Sequence, residues 1–233
     1  YSLGVDNENV FFNKIIQDYQ DSVIYLTIDC SSSMSGDKWK NTMILTTGLA
    51  YAAKKINNFD IIVNLRYGLD SIWSITMFDS RIDALTHFTK WMPLFHSAGY
   101  TPESIVYEIE EKFIRSLKTH DNNVYFITMT DGQPNYQPSS GRGYHGNFTG
   151  WNYYDDSDSV AVKHCKKMMK SFKEMNIKIL SYFIGHKERY GRDRDMVTFK
   201  DSYGRNGVNV PLDNFSMISR SVNDLLIGDC EMC

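Results

Sequence analysis

Residues 22–36 read SVIYLTIDCSSSMSG. A short run of apolar and β-branched side chains ends in an aspartate, and serines follow at alternate positions, so that Asp29, Ser31 and Ser33 stand two apart. An apolar run of this length predicts a strand covered on both faces, the kind found in parallel sheets. If the chain turns tightly after that strand, alternate side chains can aim at one point, and three oxygens on one loop suit a hard cation. Aspartate and serine after a strand are also common helix caps, and Ser35 or Asp37 could serve the next segment in that way.

Outward from this stretch, strands and helices alternate. Residues 37–57 place Trp39, Met43, Ile44, Leu49, Ala53 and Ile56 so as to predict a helix, which Asn57-Asn58 ends. IIVNLRYGL (61–69) and WSITMFDS (73–80) are strand-like and separated by Asp70-Ser71, while residues 84–94 carry no decisive pattern. Residues 102–117 predict a helix, with Pro102 in the first turn, Glu103 favouring the N-terminus, and Ile105, Ile109, Phe113 and Leu117 at helical spacing. NVYFITMTDG (123–132) is a second buried strand ending in an aspartate, Asp131. Residues 159–175 read as helix, 177–185 as strand, HKERYGRDRDM (186–196) as a charged loop, 207–214 as a last short strand and 215–226 as a last helix.

The alternation predicts an α/β fold: a doubly wound, mostly parallel central sheet with helices on both faces. Residues 1–21 form an N-terminal extension, expected to be helical from FFNKIIQDYQ (11–20), and residues 22–233 form one domain. That domain carries a long loop at 133–157, rich in Gly, Pro, Ser, Asn and aromatics, which is either mobile or a binding loop. In such sheets ligands bind beyond the carboxyl ends of the strands, so Asp29 and Asp131 should reach one rim. Thr101, in SAGYTPES just before a predicted helix, can bring a further hydroxyl there. Magnesium seeks six oxygens and keeps some of its waters; Ser31 and Ser33 bound directly, with Asp29 acting through water, would satisfy it.

Composition narrows the function classes. The chain has 233 residues, 42% hydrophobic, enough for one sizeable core. Its 25 basic and 28 acidic residues give a net charge of −3, which offers no general field for nucleic acid. No apolar run reaches the length of a membrane span. The four cysteines, Cys30, Cys165, Cys230 and Cys233, form no dense framework, and a reducing, cytoplasmic compartment is expected. Cys230 and Cys233 read either as half a metal or redox site or as free thiols in a tail. The chain opens with YSLGVDNENV and no initiator methionine, as a fragment of a longer protein would. His186 could meet a ligand at the sheet rim or be satisfied locally; His145 and His164 have weaker claims. Trp151, Tyr153 and Tyr154 beside Asp155 and Asp156 could form an interaction surface or fold back on their own loop.

IDCSSSMSG, AGYTPES and MTDGQPN together resemble the three loops of a von Willebrand factor A domain that carries a metal-ion-dependent adhesion site, and VNVPLDNFSMISRSVNDLL resembles the last strand and helix of that fold. The resemblance spans residues 22–226. It implies direct metal ligation by Ser31 and Ser33. Thr101 would ligate directly in one state and through water in another, with Asp29 and Asp131 in the inner or next shell. The implied ion is Mg2+, with Mn2+ or Ca2+ as alternatives, and a Glu or Asp of a partner protein fills the open position. Two carboxylates partly held off by water leave the ion under-served with strong ligands, so that position attracts an acid.

SYFIGH (181–186) and the basic loop after it are similar to the C-terminal domain of cobaltochelatase CobT-type subunits; the Asn- and Tyr-rich composition would suit a phage-encoded homologue. That likeness implies a non-ATPase subunit beside an AAA+ ATPase, in a ring-forming assembly built through regions outside this sequence. The chain itself has no Gly-x-x-x-x-Gly-Lys-Ser/Thr loop and no His-Glu-x-x-His or Gly-x-Ser-x-Gly motif, so the ATPase would supply the energy and no catalytic residue is assigned. The alternatives are an extracellular or surface adhesion domain, and a hydrolase that uses the metal to activate water.

Overall fold

The computed structural model describes residues 21–69, 71–132, 134, 160–185, 193–212 and 214–228. The helix expected at 11–20, the 133–157 loop apart from Pro134, His186 and the charged residues 186–192, and Cys230 and Cys233 lie outside the described residues.

Among the described residues, six strands form one sheet: β1 (Ser22–Asp29), β2 (Phe59–Gly68), β3 (Ile72–Asp79), β4 (Asn123–Thr130), β5 (Lys178–Gly185) and β6 (Gly207–Pro211). Their spatial order is β3-β2-β1-β4-β5-β6, all pairs parallel except the antiparallel β2–β3 pair at one edge. The expected doubly wound, mostly parallel sheet is therefore what the chain forms. The turn between β2 and β3 is too short for a crossover, which forces the antiparallel pairing there.

Alternate side chains of each central strand feed two cores. Ile24, Leu26 and Ile28 of β1 point to the face covered by helices α1 (Asp37–Ala53), α2 (Leu85–Trp91) and α6 (Ser216–Gly228), where Met43, Ala50, Phe88 and Ile218 are buried. Val23 and Tyr25 point to the other face, covered by α3 (Glu103–Leu117), α4 (Val160–Glu174) and α5 (Asp193–Tyr203), where Ile114, Cys165, Phe172 and Phe199 are buried. Both faces of β1 are thus dry, which is why its sequence reads as a continuous apolar run rather than an alternation.

Three local expectations change. The helix expected over 37–57 ends at Ala53, because the chain turns through Asn58 in a left-handed conformation (φ 62°) whose carbonyl takes the Ser22 N–H at 2.9 Å. Neither Ser35 nor Asp37 caps it; Gly36, at φ 74°, precedes the helix without a side-chain cap. The charged loop expected over 186–196 gives way to helix from Asp193.

Candidate metal centre

The parallel pairing of β1 with β4 runs to Ile28 opposite Met129, so the two strands finish side by side. Asp29 closes β1 and Asp131 follows the last residue of β4, which brings both carboxylates to one edge of the sheet. Asp29 is fully buried. Its Oδ1 accepts the Ser31 N–H at 2.8 Å and its Oδ2 accepts the Thr130 hydroxyl at 2.8 Å. After Asp29 the chain winds into a single 3-10 turn, Ser32–Met34, anchored inward by the buried Met34. That turn sets the Ser31 and Ser33 hydroxyls 3.0 Å apart, and Ser33 donates to Asp131 Oδ1 at 2.7 Å.

The loop before α3 is fastened to this turn by its backbone. Ala98 N–H reaches the Cys30 carbonyl at 2.6 Å, Ser32 N–H reaches the Gly99 carbonyl at 3.0 Å, and Gly99 N–H returns to Ser32 Oγ at 2.9 Å. Tyr100 N–H bonds the Gly68 carbonyl at 2.7 Å. Gly99 is required here: its φ is +80° and a Cβ would lie 2.2 Å from the Gly68 oxygen. So held, buried Thr101 places its hydroxyl beside Gly132, where a Cβ would come within 3.6 Å of Thr101 Oγ1. Of the five residues picked out in the sequence, Ser31, Ser33 and Asp131 are joined side chain to side chain, Asp29 is tied to them through the Ser31 N–H, and Thr101 lies beside Gly132, so they share one rim, drawn from three separate turns.

The electrostatics beneath the cluster come from groups the sequence reading passed over. Arg66 of β2 is fully buried; its Nη1 donates to Tyr107 Oη and Thr128 Oγ1, both at 2.7 Å, and its Nη2 donates to Glu103 Oε1 at 3.0 Å. Tyr203 donates to the second oxygen of Glu103 at 2.7 Å. Burial pushes Glu103 up to about 7 against the pull of Arg66. Burial likewise raises the Asp29 carboxyl above its usual range, with Arg66 opposing, the Asp131 charge adding to the rise, and the Ser31 and Thr130 bonds restraining it. Cys30, between the ligand candidates, is fully buried, and burial followed by the Asp29 charge raises its thiol, so it packs as a protonated apolar side chain. At the rim, the Lys38 ammonium meets Asp131 Oδ2 and also donates to the Ser33 carbonyl at 3.2 Å.

The donor set fits a hard divalent ion. Among the described residues no three His, Cys, Asp or Glu gather as a conventional cage; the cluster offers two carboxylates and three hydroxyls. Neighbouring ligands on an octahedral Mg2+ sit about 3 Å apart, given metal–oxygen distances of about 2.1 Å. The 3.0 Å separation of the Ser31 and Ser33 hydroxyls matches that spacing. The cluster also already accepts positive charge, since Lys38 sits against it.

The sequence reading missed Lys38, Arg66 and Thr130, and gave Glu103 only the start of a helix. Arg66 carried a signal, a lone guanidinium inside an apolar strand, and such a charge needs a buried partner. Lys38 carried none, because its partner Asp131 lies 93 residues away.

No protein-family model matches the chain, and no curated protein matches it by sequence. Solved structures do. The pilus adhesin SpaC of Lactobacillus rhamnosus GG superposes with a TM-score of 0.65 at 13% identity, covering 90% of this chain and 31% of that one. The vWF domain of the type V pili tip protein Mfa5 of Porphyromonas gingivalis gives 0.62 at 10% identity, covering 90% and 97%. The manganese-loaded TRAP protein of Plasmodium vivax gives 0.54 at 14% identity, covering 84% and 70%. The chain thus spans about a third of SpaC and nearly all of the Mfa5 domain. The fold they share with it is that of the von Willebrand factor A domain.

Proposed function

We propose, from a chain with the von Willebrand factor A fold, that this protein is a divalent-cation-dependent protein-binding module. Mg2+ is the expected ion, with Mn2+ or Ca2+ able to replace it. Ser31 and Ser33 hold it directly, Thr101 joins according to state, and Asp29 and Asp131 supply charge from close by. The ion, when bound, supplies an electrophilic position for a Glu or Asp of the partner protein. The observation that carries this is the hydrogen-bonded run Ser31–Ser33–Asp131, with Asp29 accepting the Ser31 N–H and Thr101 beside Gly132, at the carboxyl ends of β1 and β4. No catalytic residue is assigned.

The test is titration of the chain with Mn2+, followed by electron paramagnetic resonance, with Mg2+ as competitor. Ser33→Ala, an exposed position, should weaken Mn2+ binding at least tenfold while the circular dichroism stays unchanged. A peptide with a single glutamate should then displace water from the bound Mn2+, lowering its water-proton relaxation. Thr101→Ala should weaken that peptide step more than the Mn2+ step. Equal Mn2+ affinity in wild type and Ser33→Ala would overturn the reading, as would metal-dependent turnover of an ester or phosphate.

Two identities of the partner make different demands. The adhesin and pilus proteins among the structural neighbours support an acid on another surface protein, bound without regard to nucleotide. The SYFIGH string, whose first five residues form the end of β5, supports a cytoplasmic AAA+ ATPase and a CobT-type role, in which capture would depend on ATP. Described Cys30 and Cys165 are free and lie in separate cores, which suits the second setting. Binding that responds to ATP in the presence of a AAA+ protein would decide for the second, and binding indifferent to nucleotide for the first.

A further inference from the structure

Lys38 is the second residue of α1, and its ammonium is held by the rim cluster, by the Ser33 carbonyl at 3.2 Å and by Asp131 Oδ2. The contact is sheltered: the lysine side chain is 12% exposed and that of the aspartate 1%. The placement runs against helix electrostatics. A cation in the first turn faces the positive end of the macrodipole, so it is tolerated best where a carboxylate compensates it. Asp131 is that carboxylate, and both its oxygens are occupied from within the chain, Oδ1 by the Ser33 hydroxyl and Oδ2 by Lys38.

We propose that Lys38 is the built-in counter-cation of this centre, seated on Asp131 until a divalent ion displaces it, and therefore the residue that sets how tightly the ion is held. The proposal rests on the reading of the site as a divalent-cation site. An ion on the Ser31 and Ser33 hydroxyls lies against the same Asp131 carboxylate. The ammonium would then face a double positive charge across a few ångströms with little water between them. Asp131 cannot serve both at full strength, so binding of the ion is net of releasing the lysine. The release is open to it: Lys38 stands at the start of a helix near the surface, on a flexible four-carbon stem that carries its charge into solvent. Lys40 provides the contrast. It has the same charge in the same helical turn, but its side chain is exposed and makes no bond to the cluster.

The experiment measures Mn2+ affinity of the full chain in wild type, Lys38→Met, Lys38→Gln, Lys40→Met and Ser33→Ala. Lys38→Met should bind Mn2+ about tenfold tighter, equal to about 1.4 kcal/mol, and Lys40→Met less than about twofold tighter, since an exposed charge is screened. Lys38→Gln stands in should Lys38→Met fail to fold. In wild type, the Lys38 side-chain ammonium signal should be sheltered from exchange in chelator and lost on adding Mg2+. Three results overturn the inference while leaving the proposed function intact: equal or weaker Mn2+ affinity in both Lys38 variants, equal tightening by Lys40→Met, or an ammonium signal indifferent to Mg2+. Mn2+ binding that is absent, or unaffected by Ser33→Ala, overturns the proposed function and this inference with it.

Discussion

The buried Arg66–Glu103 pair shows how a single residue holds the site from below. Arg66 ties β2 to β4 through Thr128 and to α3 through Glu103 and Tyr107, all beneath Asp29. Arg66→Met should destabilise the fold by about 3–5 kcal/mol, because it strands a buried carboxylate. Chemical denaturation would measure this, and the double variant with Glu103→Gln should recover part of it. A loss under about 1 kcal/mol would show that the pair is not buried as described. Glu110 adds a pH signature. It is buried against Asn64 and Ser74, and burial raises it from an ordinary value of 4.5 to about 7. A carboxyl held above its unfolded value binds its proton more tightly when folded. Its stabilising contribution is therefore complete below about 4.5 and is lost as pH rises through 7. Unfolding free energy should fall with pH across that window, and Glu110→Gln should remove up to about 1.4 kcal/mol per pH unit of the slope. An unchanged slope would exclude Glu110 as its source. At this scale the rim residues were legible because Asp29 and Asp131 each follow an apolar run and the hydroxyls of Ser31 and Ser33 stand beside Asp29 in the chain. The supporting charges were not, because a residue's partner across a sheet leaves no local trace.

At the scale of elements, α3 is the instructive case. Its sequence aligns Ile105, Ile109, Phe113 and Leu117, which predicts an apolar face along that stripe. The buried face instead runs through Glu103, Tyr107, Glu110, Ile114 and Leu117, and Ile109 is 59% exposed. The spacing marked the helix, and its buried side is offset from that stripe because α3 turns polar groups inward to meet Arg66 and Asn64. Ile114→Ala should therefore cost about 2–5 kcal/mol and Ile109→Ala about 0.5 kcal/mol or less, as read by denaturation. The reverse ranking would restore the sequence-based face. The loop that precedes α3 has its own test. Gly99→Ala forces a left-handed residue to carry a Cβ into the Gly68 carbonyl. It should weaken Mn2+ binding through Thr101 while α3 itself persists by circular dichroism, with a strain of about 1–3 kcal/mol. Unaltered Mn2+ binding in a folded Gly99→Ala chain would mean that this loop does not place Thr101 at the ion.

At the scale of the whole molecule, the topology makes the site. Strands β1 and β4 are neighbours in space but separated by α1, β2, β3, α2 and α3 in sequence, so only the completed sheet brings Asp29 to Asp131. The order of strand and helix, and hence the rim, could be read from runs ending in aspartate. The short separation of the β2 and β3 runs already implied the antiparallel edge, whereas α5 could not be read, since a charge-rich helix shows no clear apolar stripe. An ion that needs three turns at once has no site in the unfolded chain, and so must stabilise the folded one by mass action. At a hundred times its dissociation constant, such a ligand adds about 2.7 kcal/mol. For a domain of this size that corresponds to a rise of about 5–10 °C in Tm. Wild type should show that rise between chelator and excess Mn2+, and Ser33→Ala should show little of it. A Tm indifferent to Mn2+ in the wild type would mean that the three turns, although brought together, do not hold an ion in common.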